Sequence, residues 1–254
     1  MTAITGHGSG ASAPGSRDRS GDNAVPSTLS TVLTLAGVTL KRLGRGRALW
    51  IGLLIAALPV VNASIVHAYA QRLQAAPTEM FAASLALLAL LPAMFVGASI
   101  GEEIEERTST YLWSRPIARW AVLAGKLFAL VPIVIALVVG GWVAANEIWT
   151  DQAPTLISSV SLAACCIGAS LIATGVATVV PKHGMALTIG YMLVDLFIGA
   201  LPFSLQELSI THQAMQLSYL SGAPPALATA VTAMAMVAGL WSAVALIRIQ
   251  RLEA

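Results

Sequence analysis

The sequence predicts an all-α integral membrane protein with six transmembrane helices, and three observations carry that prediction. Apolar residues make up 57% of the 254-residue chain and charged residues only 10%, where a soluble domain is about a quarter charged. The apolar residues gather in six runs, each close to the roughly 20 residues that a helix needs to cross about 30 Å of hydrocarbon. The basic residues fall between those runs with a strong bias to one side. A mean hydropathy of +0.79 excludes a conventional soluble enzyme. The formal net charge of +2, from 14 Lys+Arg against 12 Asp+Glu, offers no concentrated basic patch for nucleic acid.

Residues 1–26 are rich in Gly, Ser, Ala and Pro and lack an apolar stretch of signal-peptide length. They are expected to be a disordered tail, with residues 27–254 forming the six-span domain. Over 27–47, Leu29, Val32, Leu33, Ala36, Leu40 and Leu43 recur at helical spacing, and Lys41, Arg42, Arg45 and Arg47 crowd the end. That pattern suits an amphipathic helix lying along a membrane surface. Gly37, Gly44 and Gly46 weaken the helix, so a solvated linker is the alternative. The spans are expected at about 49–70, 80–100, 121–145, 155–180, 185–202 and 225–247. Pro59, Pro92 and Pro132 are expected to kink the first three. Trp50, Trp120, Trp142 and Trp149 fall near span ends, where aromatic belts form. Cys165 and Cys166 are adjacent in an apolar run, where their side chains diverge around a helix, and read as packing residues.

Orientation follows from the basic residues. With the tail in the cytoplasm and six alternating spans, the inner side receives Arg17, Arg19, Lys41, Arg42, Arg45, Arg47, Arg107, Arg115, Arg119, Lys126, Lys182, Arg248 and Arg251. Of the 14 basic residues only Arg72 lies outside. Such a bias supports both the even number of spans and two cytoplasmic termini.

The segment GEEIEERTSTYLWSRPIARWAVLAGK, residues 101–126, holds four glutamates, three arginines and a lysine in a charge-poor chain. Glu102, Glu103, Glu105 and Glu106 prolong the second span, Pro116 limits a short helix, and Arg119 and Lys126 sit where a helix re-enters lipid and can snorkel to the headgroups. The expected product is a charged cytoplasmic elbow joined rigidly to two spans. The bland alternative is an ordinary polar loop whose charges anchor two helix ends.

The order of residues resembles the cytoplasmic loop of the type-2 permease family of ATP-binding cassette transporters. In that family an acidic stretch is followed by Gly-Thr, a few apolar residues, a Ser-x-Pro-Ile-Ser-Arg-like turn and Gly-Lys. The matching residues are Glu103, Glu105 and Glu106, then Thr108, then Ser114, Arg115, Pro116, Ile117, Ala118 and Arg119, then Gly125 and Lys126. The sequence departs at Arg107, where the family usually has glycine, and at Ala118, where it usually has serine. The resemblance implies that residues 101–119 form a coupling helix docking on an ATPase subunit, with Glu103, Glu105, Glu106, Thr108, Ser114, Arg115, Pro116, Arg119 and Lys126 carrying the coupling. Gly125-Lys126 lacks the upstream glycine of a phosphate loop, so the ATPase must be a separate chain. The resemblance further implies two permease chains, a homodimer or a heterodimer with a related permease, with two ATPase chains, exporting an unidentified substrate across a prokaryotic inner membrane. No catalytic role, cofactor or metal is expected of this chain.

Asp195 lies within the fifth span, four residues after Tyr191 and so on the same helix face. A carboxylate there costs about 2.5–3.5 kcal/mol on insertion scales. It therefore either lines a transport path or, protonated or bonded to Tyr191, locks two helices. The outer connection at 203–224 is too long for a minimal turn and carries Leu205, Leu208, Ile210, Met215, Leu217 and Leu220. It fits a broken or re-entrant helix, which the resemblance implies is an extracellular gate; a surface helix on lipid is the alternative.

Rival readings are weaker. Glu102, Glu103 and Arg107 resemble the first motif of intramembrane proteases that process prenylated proteins, but the spaced histidine motifs those enzymes need are missing. A secondary transporter would also be a helical bundle with an intramembrane carboxylate, yet no pair of interrupted helices in two halves is apparent. A membrane scaffold would use the elbow only for docking.

Overall fold

The computed structural model describes residues 28–69, 77–105, 119–202, 204–220 and 227–251, and among them all regular structure is helical. Helix α1 (Thr28–Arg45) precedes the spans. Span one is α2 (Arg47–Ala56) and α3 (Leu58–Ala68). Span two is α4 (Pro77–Pro92), a π-helical turn (Ala93–Gly97) and α5 (Ala98–Glu105). Spans three and four are α6 (Arg119–Thr150) and α7 (Leu156–Val179). Span five is a 3₁₀ turn (Pro181–His183) running into α8 (Gly184–Ala200). A second 3₁₀ turn (Ser204–Leu208) and the short helix α9 (Ile210–Leu217) lead to span six, α10 (Leu227–Arg251). All six spans, of 20 to 31 residues, are long and apolar enough to cross a membrane.

The three prolines act differently. Around Pro59 span one divides at Ala57, while the bonds Ala57 N–H to Leu53 O and Val61 N–H to Ala57 O keep its two helices hydrogen-bonded across the break. Pro92 has no N–H to return to the preceding turn, and the helix widens after it, with Ala98 N–H reaching back five residues to Ala93 O. Span three runs unbroken through Pro132. Span two is the hub: 72% of its most apolar stretch is buried, against 22% in spans five and six. Its Phe95 occupies the place where a Cβ on Gly52 of span one would stand, 2.5 Å from the ring. Span four packs against spans two, three, five and six, and α1 leans on span three beside Gly125.

Span four carries many hydroxyls, yet they do not form a polar track. Ser170, Thr174 and Thr178 donate to Cys166 O, Ser170 O and Gly175 O in their own helix. Cys165 and Cys166 are free and fully buried between helices, as packing residues.

Trp142 corrects an expectation. It does not belong to an aromatic belt; it is 1% exposed and meets Phe81 edge-to-face at 5.2 Å, joining the ends of spans two and three. The reason is that α6 continues to Thr150, two turns past Trp142. Trp50 and Trp120 do remain exposed, and Trp149 packs partly against the core. The buried Trp142 Nε1–H has no hydrogen-bond partner among the described residues. Trp142→Phe should therefore change stability by less than about 1 kcal/mol, because removing an unpaired donor offsets the lost packing. Thermal unfolding in detergent checks this; a loss of about 3 kcal/mol or more would reveal a hidden partner for the indole.

The bundle has two chemically distinct ends. Among the described residues every lysine and arginine sits at one of them: Lys41, Arg42, Arg45 and Arg47 at the α1–α2 junction, Arg119 and Lys126 at the start of α6, Lys182 between spans four and five, and Arg248 and Arg251 at the end of α10. Direct contacts tie this basic end together. Gly101 lies against Pro181 O, where a Cβ would come within 2.7 Å, and Arg248 donates to Val179 O at 3.4 Å, placing a cation at the carbonyl end of α7. The opposite end carries Glu79, Glu147, Asp151, Asp195 and Glu207.

Candidate functional site

At the basic end, α5 and α6 bracket residues 106–118. Lys126, about two turns into α6, is buried rather than extended to headgroups. Its Nζ donates to Ser99 O at 2.6 Å and Ser99 Oγ at 3.1 Å, and pairs with Glu103 at 2.8 Å. The three partners match the three donors of an ammonium group. Glu103 thus turns toward Lys126, with 29% of its side chain exposed. Glu105, the last residue of α5, is exposed. Arg119 opens α6. The expected coupling residues Glu106, Thr108, Ser114, Arg115 and Pro116 lie outside the described residues. The helical amino acids on either side of that segment are consequently fastened to one another by a buried ion pair, 23 positions apart in sequence, that no local pattern announces.

At the opposite end the structure gives Asp195 a definite set of partners. Its Oδ1 accepts from Ile210 N–H at 3.1 Å; its Oδ2 accepts from Thr211 N–H at 3.1 Å, Thr211 Oγ1 at 2.8 Å and Ser209 Oγ at 3.1 Å. These are the first amides of α9, so the carboxylate caps that helix from a different span and meets the positive end of its dipole. Ser209 supplies the ordinary N-cap as well, accepting from His212 N–H at 3.1 Å. Gly199 permits the approach: a Cβ there would lie 2.8 Å from Ser209 Oγ. Tyr191 does not join this network but meets Trp241 edge-to-face at 5.5 Å, linking spans five and six.

Further bonds hold the connection down. Gln213 Nε2 donates to Glu207 O at 2.8 Å and Glu207 Oε2 at 3.0 Å, and Ser161 of span four donates to Ala214 O at 2.5 Å. Ile210, Ala214 and Leu217 are buried, so α9 is a broken helix packed into the bundle end and not a surface helix on lipid. Asp195, about one and a half turns from the end of its span, is compensated by fixed dipoles, which explains how an apolar segment carries it. Ser209 and Thr211 are not among the residues that the sequence singles out. A serine before an apolar helical run is a legible N-cap signal, but its partnership with a residue fourteen positions earlier is not.

No protein-family model and no curated protein matches the chain.

Proposed function

We propose that the chain is the membrane-spanning permease subunit of an ATP-binding cassette transporter, working as a dimer with a separate ATPase on a prokaryotic inner membrane. The observation that supports this reading best is the buried Lys126–Glu103–Ser99 joint, which fastens the two helices flanking residues 106–118. A segment so mounted moves as a lever. A push on it shifts the end of span two and the start of span three together, and the π turn of span two in turn touches spans four and five and, through Phe95 beside Gly52, span one. An ATPase that binds one conformation of this lever more tightly than the other biases the whole bundle, since a partner shifts an equilibrium only by its differential affinity.

In this reading both termini are cytoplasmic, α1 is an amphipathic interfacial helix, and the basic end of the bundle faces the cytoplasm, in keeping with the positive-inside rule. Residues 101–119 dock on the ATPase, with Glu105, Glu106, Arg115 and Arg119 presenting charge. The capped connection at 204–217 closes the outer end during export.

Affinity-tagged chain, gently solubilised from its native membrane, should bring down a stoichiometric ATPase. Substituting Glu105, Glu106 and Arg115 with alanine should reduce its recovery at least about tenfold, the loss expected from removing one or more charge-assisted contacts. Recovery of the chain without any ATPase, under conditions that preserve known transporter complexes, would overturn the proposal in favour of a secondary transporter or scaffold.

A further inference from the structure

A cavity of about 200 Å³ opens at the basic end, in the crease between α1, the π turn and span three. It exists because the chain turns at Gly46, where extended backbone (φ −86°, ψ 155°) separates α1 from α2. Met94, Phe95 and Leu130 line its apolar part, while Arg42 from α1 and Glu102 from α5 line its polar part. Of the charges beside it, Lys126 is already matched with Glu103. Arg42 and Glu102 are both exposed, and neither has a salt-bridge partner among the described residues. One cation and one anion, from different elements, thus border the same small apolar hollow.

We infer that this crease binds the headgroup region of a zwitterionic phospholipid bearing a primary ammonium. Arg42 suits the phosphate, since a guanidinium presents paired donors to its oxygens. Glu102 suits the ammonium, which donates hydrogen bonds that a quaternary ammonium cannot. The apolar residues suit the adjoining glycerol and first acyl carbons. The volume agrees with such partial occupancy, being below the roughly 300–1,000 Å³ of pockets that enclose a drug-sized ligand. Leu33, Val38 and Leu40 leave apolar surface exposed on α1, which sets the crease at the boundary where headgroups lie. The inference rests on the interfacial placement of α1 in the proposed function and not on the ATPase, so the test uses the chain alone.

Purified chain in detergent is mixed with phosphatidylethanolamine, phosphatidylcholine or phosphatidylglycerol of identical acyl chains, and lipid retention is read by native mass spectrometry. Phosphatidylethanolamine should be retained about tenfold more than phosphatidylglycerol, the ratio given by one charge-assisted hydrogen bond, and more than phosphatidylcholine. Glu102→Gln should bring it down to the phosphatidylglycerol level, and Arg42→Ala should lower retention of all three. Equal retention of phosphatidylethanolamine and phosphatidylglycerol by the wild type overturns the assignment, as does selectivity unchanged in both variants. Displacement of the lipid by equimolar soluble phosphoethanolamine overturns the lipid as occupant. If either variant unfolds earlier than the wild type, the wild-type selectivity decides.

Discussion

Asp195→Ala is expected to destabilise the folded protein by roughly 3–5 kcal/mol, because it strands several buried donors at once. The carboxylate accepts from two backbone amides and two hydroxyls, all drawn from Ser209, Ile210 and Thr211. Thr211 and Ser209 are 3% and 2% exposed, so water cannot readily replace the lost acceptor. The damage should be local first: α9 loses its trans cap, and amides of the 204–217 connection should exchange faster with solvent. Asp195→Asn keeps one acceptor oxygen but turns an amide donor toward the other donors, and should cost about half as much. Thermal unfolding in detergent, with hydrogen exchange over 204–217, checks both. A loss under about 1 kcal/mol with unchanged exchange would show that the cap does not hold the connection. Should the Asn variant also assemble and transport as the wild type does, a role for Asp195 in a transport path is removed.

Lys126→Met is expected to cost roughly 2–4 kcal/mol, somewhat below the usual figure for breaking a fully buried pair because Glu103 keeps partial contact with solvent. It leaves the Glu103 carboxylate and the Ser99 carbonyl without their shared donor. Adding Glu103→Gln to Lys126→Met should recover part of that loss, since a neutral amide is cheaper to leave unpaired than a carboxylate. A double-mutant cycle read by unfolding in detergent should give a coupling of about 1–3 kcal/mol; additive effects would mean that the pair does not join the two helices. Under the proposed function the same single variant should hydrolyse ATP through its partner while transporting less, because the lever would yield where it ought to transmit.

These two sites differ in how visible they are in the chain. The six spans could be read directly, because lipid solvation demands long apolar runs whatever their packing, and all six runs became helices of spanning length. Their ends were less legible. Span two runs on to Glu105 as its acidic prolongation predicts, but span three continues to Thr150, because helix hydrogen bonding persists into polar sequence where side chains such as Asn146, donating to Gln152 O, finish the last turn. Lys126 and Asp195 were recognisable as unusual, since each is a charge in an apolar context. Their partners were not. By sequence Lys126 suits a headgroup anchor and Asp195 a path residue or a partner of Tyr191, whereas their actual partners come from Ser99, Glu103 and the start of α9.

A lipid solvent, six spans and the segregation of basic residues to one end are legible in the chain alone, since these follow from residue composition along a line and from the cost of moving charge into hydrocarbon. Which charges are neutralised, and by what, depends on how the helices pack in three dimensions. Lys126 and Glu103 meet because spans two and three pack side by side, and Asp195 finds the amides of α9 because span five and the connection after it fold back on each other. The π turn after Pro92 likewise depends on Phe95 having a place to go, the gap beside Gly52 in another span. Burial and hydrogen-bond pairing are properties of neighbours in space, and a periodic apolar pattern states only which face is hidden, not what it is hidden against.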